Sequence, residues 1–187
     1  MPHAVILYLD QKSENKINDL WKNLADEKLS ESITMAGIRP HITLAIYDEL
    51  ACQPCDNELD RISSRTTSIP LRFSYLGFFT KSEPVIFAAP NPTNELLAFH
   101  DHLHTRLANE SKGSWEHYKP GSWVPHFSLA MDFKFENIGK IILRCQTLLP
   151  LPMDVSAIQL GVVEFQPIRD IFKYDFLTLD DENNSGC

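Results

Sequence analysis

Val5 to Leu9 is a short apolar run of strand formers, after which Ile17, Leu20, Trp21 and Leu24 recur at helical spacing behind a capping candidate, Ser13. A strand and then a helix are expected. Beyond Pro40, His41 to Tyr47 reads as a second strand and the charged stretch from Asn57 to Ser64 as a helix. Ile69 to Phe79 predicts a long strand with Leu71, Phe73 and Tyr75 on one face, and Val85 to Ala89 a short one. Asn91-Pro92 opens a helix whose apolar stripe is Leu96, Phe99, Leu103 and Leu107. Gly113 to Val124, rich in rings and turn residues, reads as an ordered loop. His126 to Met131 predicts a strand, Ile138 to Leu149 a helix, and Ser156 to Phe165 and Arg169 to Leu179 two more strands. Helices and strands alternate without low-complexity stretches, so the fold class is α+β.

The chain has 187 residues, 43% of them hydrophobic, enough for one core-bearing domain. We take residues 1–180 as a single unit and the polar residues 181–187 as a tail. A net charge of −8 argues against an extended surface that coats nucleic acid, so an anionic partner has to be small or held at one local site. The N-terminus has no basic leader, and no stretch reaches the roughly 18 apolar residues of a membrane span. Four cysteines do not make a disulfide scaffold at this length. A soluble, cytoplasmic monomer is the expectation.

An internal repeat changes the picture. Pro40-His41-Ile42-Thr43-Leu44-Ala45-Ile46 and Pro125-His126-Phe127-Ser128-Leu129-Ala130-Met131 match at an offset of 85 residues. Ile86-Phe87 and Ile171-Phe172 repeat that offset, and Gly77 and Gly161 follow at 84. Each copy runs strand, helix, long strand, strand, which predicts a duplicated unit with two lobes. Side chains alternate along a strand, so His41 and Thr43 share a face, as do His126 and Ser128. An approximate two-fold would set these pairs opposite each other across a groove.

That arrangement suits displacement at phosphorus, in which the attacking and leaving oxygens lie in line on opposite sides. One imidazole can take a proton from the nucleophile while the other gives one to the leaving oxygen, and the two hydroxyls can hold the non-bridging oxygens. Imidazole fits both roles because its unperturbed pKa, about 6.5, leaves both protonation states accessible near neutrality.

With these two motifs, His41-Ile42-Thr43-Leu44 and His126-Phe127-Ser128-Leu129, the chain resembles the 2H phosphoesterases, in particular the bacterial branch named for 2′-5′ RNA ligase. The resemblance extends from Pro2 to Leu179. It implies a duplicated bilobal fold, with two antiparallel sheets lining a central cleft and helices outside. It also implies cofactor-free, metal-independent cleavage of 2′,3′-cyclic phosphates or 2′-5′ linkages at RNA ends or in small nucleotides, reversible as ligation in some members. Carried over by motif, His41 and His126 are the acid and base, and Thr43 and Ser128 bind phosphate. Ser128 stands where threonine is commoner.

Plainer readings stand beside these. The two histidines can be strand residues hydrogen-bonded into an ordinary interior, and the cleft can bind a nucleotide or RNA end without catalysis. Arg39, two residues before His41, faces phosphate or solvent. Trp115, Tyr118 and Trp123 stack on a base or pack a loop. Tyr47 shares the parity of His41 about 20 Å further along an extended strand. Cys52-Gln53-Pro54-Cys55 has the spacing of a redox pair or half a zinc site, or else opens a helix. Of His100, His102 and His104, only the first and last share a helical face, where they form a metal clip or a polar edge of the core.

Overall fold

The computed structural model describes residues 1–80, 84–165 and 168–177, the side chain of Cys52 excepted. The elements follow the alternation read from the sequence: β1 (His3–Leu9), α1 (Gln11–Asp26), α2 (Ser32–Ala36), β2 (His41–Leu50), α3 (Cys52–Ser63), β3 (Ile69–Phe79), β4 (Val85–Pro90) and α4 (Asn94–Leu107). They continue with β5 (Ser111–Ser114), β6 (Phe127–Met131), α5 (Ile138–Leu148), β7 (Met153–Glu164) and β8 (Arg169–Asp175). The tail at 181–187 lies outside the described residues.

The helices form where an apolar stripe meets the sheet. Ile17, Leu20, Trp21 and Leu24 of α1 are buried, and each full burial stabilises by about 1.5–3 kcal/mol. The cap of α1 is Asp10 rather than Ser13. Asp10 is extended, and its carboxylate accepts from Ser13 N (2.9 Å), Ser13 Oγ (2.8 Å) and, across the fold, Ser156 N (2.9 Å). A carboxylate three residues upstream reaches the free amides of the first turn, whereas Ser13 already lies inside it. Thr93 caps α4 in the same way, accepting from Leu96 N (3.2 Å).

Instead of two separate sheets, all eight strands hydrogen-bond into one antiparallel sheet, ordered β5-β2-β1-β7-β3-β4-β6, with β8 added to β7. Continuity comes from the long strands. Ile69–Phe73 of β3 pair with Met153–Ala157 of β7, so the two candidate sheets merge at the middle of the order. On one side of that junction lie β2, β1 and β7, and on the other β3, β4 and β6. Each side draws on both halves of the sequence: β7 lies beside β1, which separates it from the first histidine strand β2, while β4 lies beside β6, the second histidine strand.

The hairpins β3–β4 and β7–β8 are alike, as the repeated Ile-Phe suggested. Yet only β4 goes on to pair with the second histidine strand, and the partner of β2 is β1. Two short elements, α2 and β5, go beyond the sequence expectation. Tyr75 does not continue the buried face of Leu71 and Phe73: the register shifts between Phe73 and Tyr75, and the Tyr75 ring is exposed. Among the described residues no helix is long and apolar enough to cross a membrane.

Asp10→Ala removes the cap of α1 and leaves Ser156 N without its acceptor. We expect a loss of about 1–3 kcal/mol in urea unfolding, and an unchanged midpoint would contradict the double role of this carboxylate.

Candidate active site

β6 closes the strand order, and it returns to lie against β2, bringing the two motif strands together. Between them opens a cleft of about 430 Å³ lined by His41, Thr43, His126, Ser128, Arg39 and Tyr118, all singled out in the sequence. Trp123 is buried behind β2, and Trp115, whose Nε1 donates to Asp48 (2.9 Å), does not line the cleft.

The two imidazoles are held alike. His41 Nδ1 lies 2.7 Å from the carbonyl oxygen of Arg39, and His126 Nδ1 lies 2.7 Å from that of Val124. A carbonyl oxygen only accepts, so each Nδ1 carries the hydrogen and each Nε2 is left to exchange protons. Burial pulls His41 below the ordinary imidazole value, the hydrogen bond to Arg39 opposes this, and the charge of His126 adds to the lowering. Burial likewise lowers His126 against its bond to Val124. The His126 ring sits edge-on to Phe79 at 5.1 Å and tilted against Phe87 at 5.0 Å. Both imidazoles therefore hold a proton less readily than a free imidazole does.

Both motif strands carry a bulge at the same place. β1 and β2 pair Ile6 with Thr43 and Val5 with Ala45, leaving Leu44 extra; β4 and β6 pair Phe87 with Ser128 and Ile86 with Ala130, leaving Leu129 extra. A bulge interrupts the ladder and shifts every later side chain to the other face. Ile46 and Met131 accordingly line the cleft. Tyr47 turns to the opposite face, where its hydroxyl meets His104 Nδ1 at 3.4 Å, so its parity with His41 does not survive the bulge.

The disturbed carbonyls are taken up by side chains. Trp123 Nε1 donates to Thr43 O (2.9 Å), and Trp21 Nε1 donates to Ser128 O (3.2 Å). His100 Nε2 lies 2.9 Å from Leu44 O and 3.0 Å from Tyr118 O, and the His100 ring stacks on Trp123 at 4.0 Å. Trp123 thus braces the strand from behind instead of meeting a ligand, because its indole N–H has a buried carbonyl to satisfy. His100 and His104 point Nε2 at the same carbonyl, that of Leu44, and so form the polar edge of the core. Cys55 is buried in the main core; its partner in the C-x-x-C, Cys52, has its side chain outside the described residues.

Two repeated glycines make room for rings. A Cβ on Gly77 would come within 2.1 Å of the Phe87 ring, and one on Gly161 within 2.6 Å of the Tyr8 ring. Phe87 then packs against His126, while Tyr8 lies beside His41 in the register of β1 and β2. Arg39 is neither free in solvent nor fully available to a phosphate. Its guanidinium lies 4.0 Å over Tyr8, pairs with buried Glu14 at 2.8 Å and donates to Gln159 at 3.1 Å. Tyr8, Trp21 and Asp170 also line the cleft, and none stood out in the sequence. Trp21 read as one more residue of a core stripe, and only the matched glycines gave any sign of the rings above them.

A family model described as the 2′-5′ RNA ligase superfamily matches residues 9–164. Solved structures similar to the chain include TT0787 of Thermus thermophilus, at a TM-score of 0.63 and 14% identity over 94% of this chain and 98% of that one. Escherichia coli LigT complexed with 3′-AMP matches at 0.61 and 14%, over 94% and 99% of the two chains. Kluyveromyces marxianus Usb1 matches at 0.53 and 10%, over 94% and 98%. A search of curated proteins gives no match. At these identities the structural likeness establishes the fold, α+β with one antiparallel sheet.

Burial first, and then the charge of His104, pushes His100 down to about 4 despite its two carbonyl partners. Between about pH 6.5 and 4 the unfolded chain takes up a proton that the folded chain does not, so stability is lost as pH falls. The loss at pH 4 is on the order of 3 kcal/mol. Urea midpoints across this range are expected to fall for the wild type and to fall less for His100→Gln; parallel slopes would exclude His100 as the source.

Proposed function

The chain belongs to the 2′-5′ RNA ligase superfamily, and from that premise we propose that it is a phosphodiesterase acting on 2′,3′-cyclic phosphates or 2′-5′ linked RNA ends and small nucleotides. The observation that carries this reading is the matched pair of imidazoles, each with Nδ1 tied to the carbonyl two residues back and Nε2 without a hydrogen-bond partner among the described residues, lining one cleft. Solved structures of LigT with 3′-AMP and with ATP, and of Usb1 with uridine monophosphate, support a nucleotide-sized ligand.

In hydrolysis, the neutral histidine accepts a proton at Nε2 from the attacking water as its oxygen bonds to phosphorus. The bond from phosphorus to the ribose oxygen breaks on the far side, and the protonated histidine donates its Nε2 proton to that oxygen. Thr43 and Ser128 hydroxyls donate to the non-bridging oxygens. Acid and base are both imidazoles, and no step calls for a metal ion. With a ribose 5′-hydroxyl in place of water, the same two residues serve ligation: one imidazole takes the proton of the 5′-hydroxyl as its oxygen bonds to the phosphorus of a 2′,3′-cyclic phosphate, and the other protonates the departing 3′-oxygen, leaving a 2′-5′ linkage. Arg39 adds positive charge at the edge of the cleft, partly offset by Glu14.

His41→Ala and His126→Ala are each expected to lower kcat on a cyclic nucleotide by roughly 10²–10⁴-fold, with circular dichroism unchanged. Because both imidazoles are pulled down in the free protein, the bell-shaped profile of kcat/KM is expected to peak on the acid side of about pH 6.5. A bound phosphate favours the charged imidazoles, so the limbs of kcat itself move to higher pH. Retained turnover in either variant would reject the assignment, and nucleotide binding without turnover in the wild type would leave a binding module in its place.

A further inference from the structure

The register of β2, β1, β7 and β8 arranges side chains in rows across the cleft floor. One row runs Thr43, Ile6, Gly161 and Lys173, and the next runs Ile46, Ala4, Val163 and Asp170. The second row is apolar up to its last member. With Ile6, Tyr8, Tyr118 and Phe165 it forms a small apolar cluster separate from the main core, and this cluster faces the cleft. Ala4, Ile6, Tyr8 and Ile46 are buried and form its floor, while Tyr118, Val163 and Phe165 are half-buried at its sides, and a cleft lined this way is suited to a flat apolar group. The cluster adjoins the phosphate-binding hydroxyl: adjacent rows are about 7 Å apart, and three strand spacings, about 14 Å, separate Ile46 from Asp170. A phosphate on Thr43 thus directs its nucleoside across Ile6 and Ala4, with the far edge of the base toward Asp170.

Asp170 is an unusual lining residue for a cleft that takes an anion. Its Oδ1 accepts from the Tyr8 hydroxyl (2.8 Å) and its Oδ2 from Lys173 Nζ (2.6 Å), which fix the carboxylate in place and offset its charge. Each oxygen retains acceptor capacity, and an ionised carboxylate has no hydrogen to give, so whatever meets it must be a donor. Cytosine, adenine and guanine carry an exocyclic amino group on the base edge; uracil has none, and its one donor there, N3–H, lies between two carbonyl oxygens that a carboxylate repels. We propose that Asp170, at the end of the apolar row Ile46–Ala4–Val163, is a specificity determinant that selects nucleotides with an amino-bearing base and disfavours uridine. The proposal rests on the phosphodiesterase reading for the position of the phosphate, and concerns only which base follows it.

The test is kcat/KM of the full chain on the 2′,3′-cyclic phosphates of cytidine, adenosine, guanosine and uridine, for the wild type and Asp170→Asn. A hydrogen bond to a charged group corresponds to roughly 10- to 100-fold, so cyclic CMP is expected to exceed cyclic UMP by at least about tenfold. Asp170→Asn, which both donates and accepts, is expected to bring the two within about threefold. Equal use of all four by the wild type, or an unchanged preference in a folded Asp170→Asn variant, overturns the proposal. Should the variant not fold, the wild-type preference decides. Should no substrate turn over, the phosphodiesterase reading fails separately, and calorimetry decides base selection: tighter binding of 3′-CMP than 3′-UMP supports it, and equal or absent binding rejects it.

Discussion

One extra residue in each motif strand governs the geometry of the cleft. Leu44 and Leu129 are accommodated as bulges directly after Thr43 and Ser128, and there the ladder can no longer pair every carbonyl. A buried carbonyl without a donor costs about 1–3 kcal/mol, so the surrounding elements must supply donors. Trp21, Trp123 and His100 do so from α1, the loop before β6 and α4, three places unrelated in chain order. The two hydroxyls stand at the cleft while the carbonyls of the same residues are held by indoles, that of Thr43 by Trp123 and that of Ser128 by Trp21. The bulges also turn Ile46 and Met131 inward, which gives the walls their apolar character.

Much of this was legible in advance. The strands announce themselves by short apolar runs or, in β3, by alternation, the helices by apolar stripes, and the four motif residues by recurring in matching context, which no lone histidine offers. The bulges were not legible. Leu44-Ala45-Ile46 and Leu129-Ala130-Met131 are apolar throughout, so nothing in the pattern marks where the parity changes; the partner strand sets it. Tyr47 was misplaced for this reason. Trp123 was misplaced because a ring close to a motif in sequence need not share its face. α2, five residues long, is too short for a periodic signal, and β5, Ser-Lys-Gly-Ser, is too polar to read as a strand.

The glycines show how far a repeat can be interpreted from residues alone. Gly77 and Gly161 fall at matching offsets, but their purpose depends on partners elsewhere: Phe87 from the next strand, Tyr8 from the first. Each ring then bears on one side of the cleft, Phe87 against His126 and Tyr8 beneath Arg39. The matched positions are thus seats for unlike side chains. Phe87 has no hydroxyl, whereas Tyr8 extends a bond to Asp170 and ties that wall to charge.

The pairing of β3 with β7 has a mechanical side. Long strands from the two halves of the sequence meet at the middle of the sheet, where Ile69–Phe73 pair with Met153–Ala157. A hinge rotation of one side against the other would have to break this ladder. The spacing between the motif strands is consequently a property of the backbone framework. On the proposed reading, choice among ligands then falls to the side chains set along that continuous sheet rather than to movement of one side against the other.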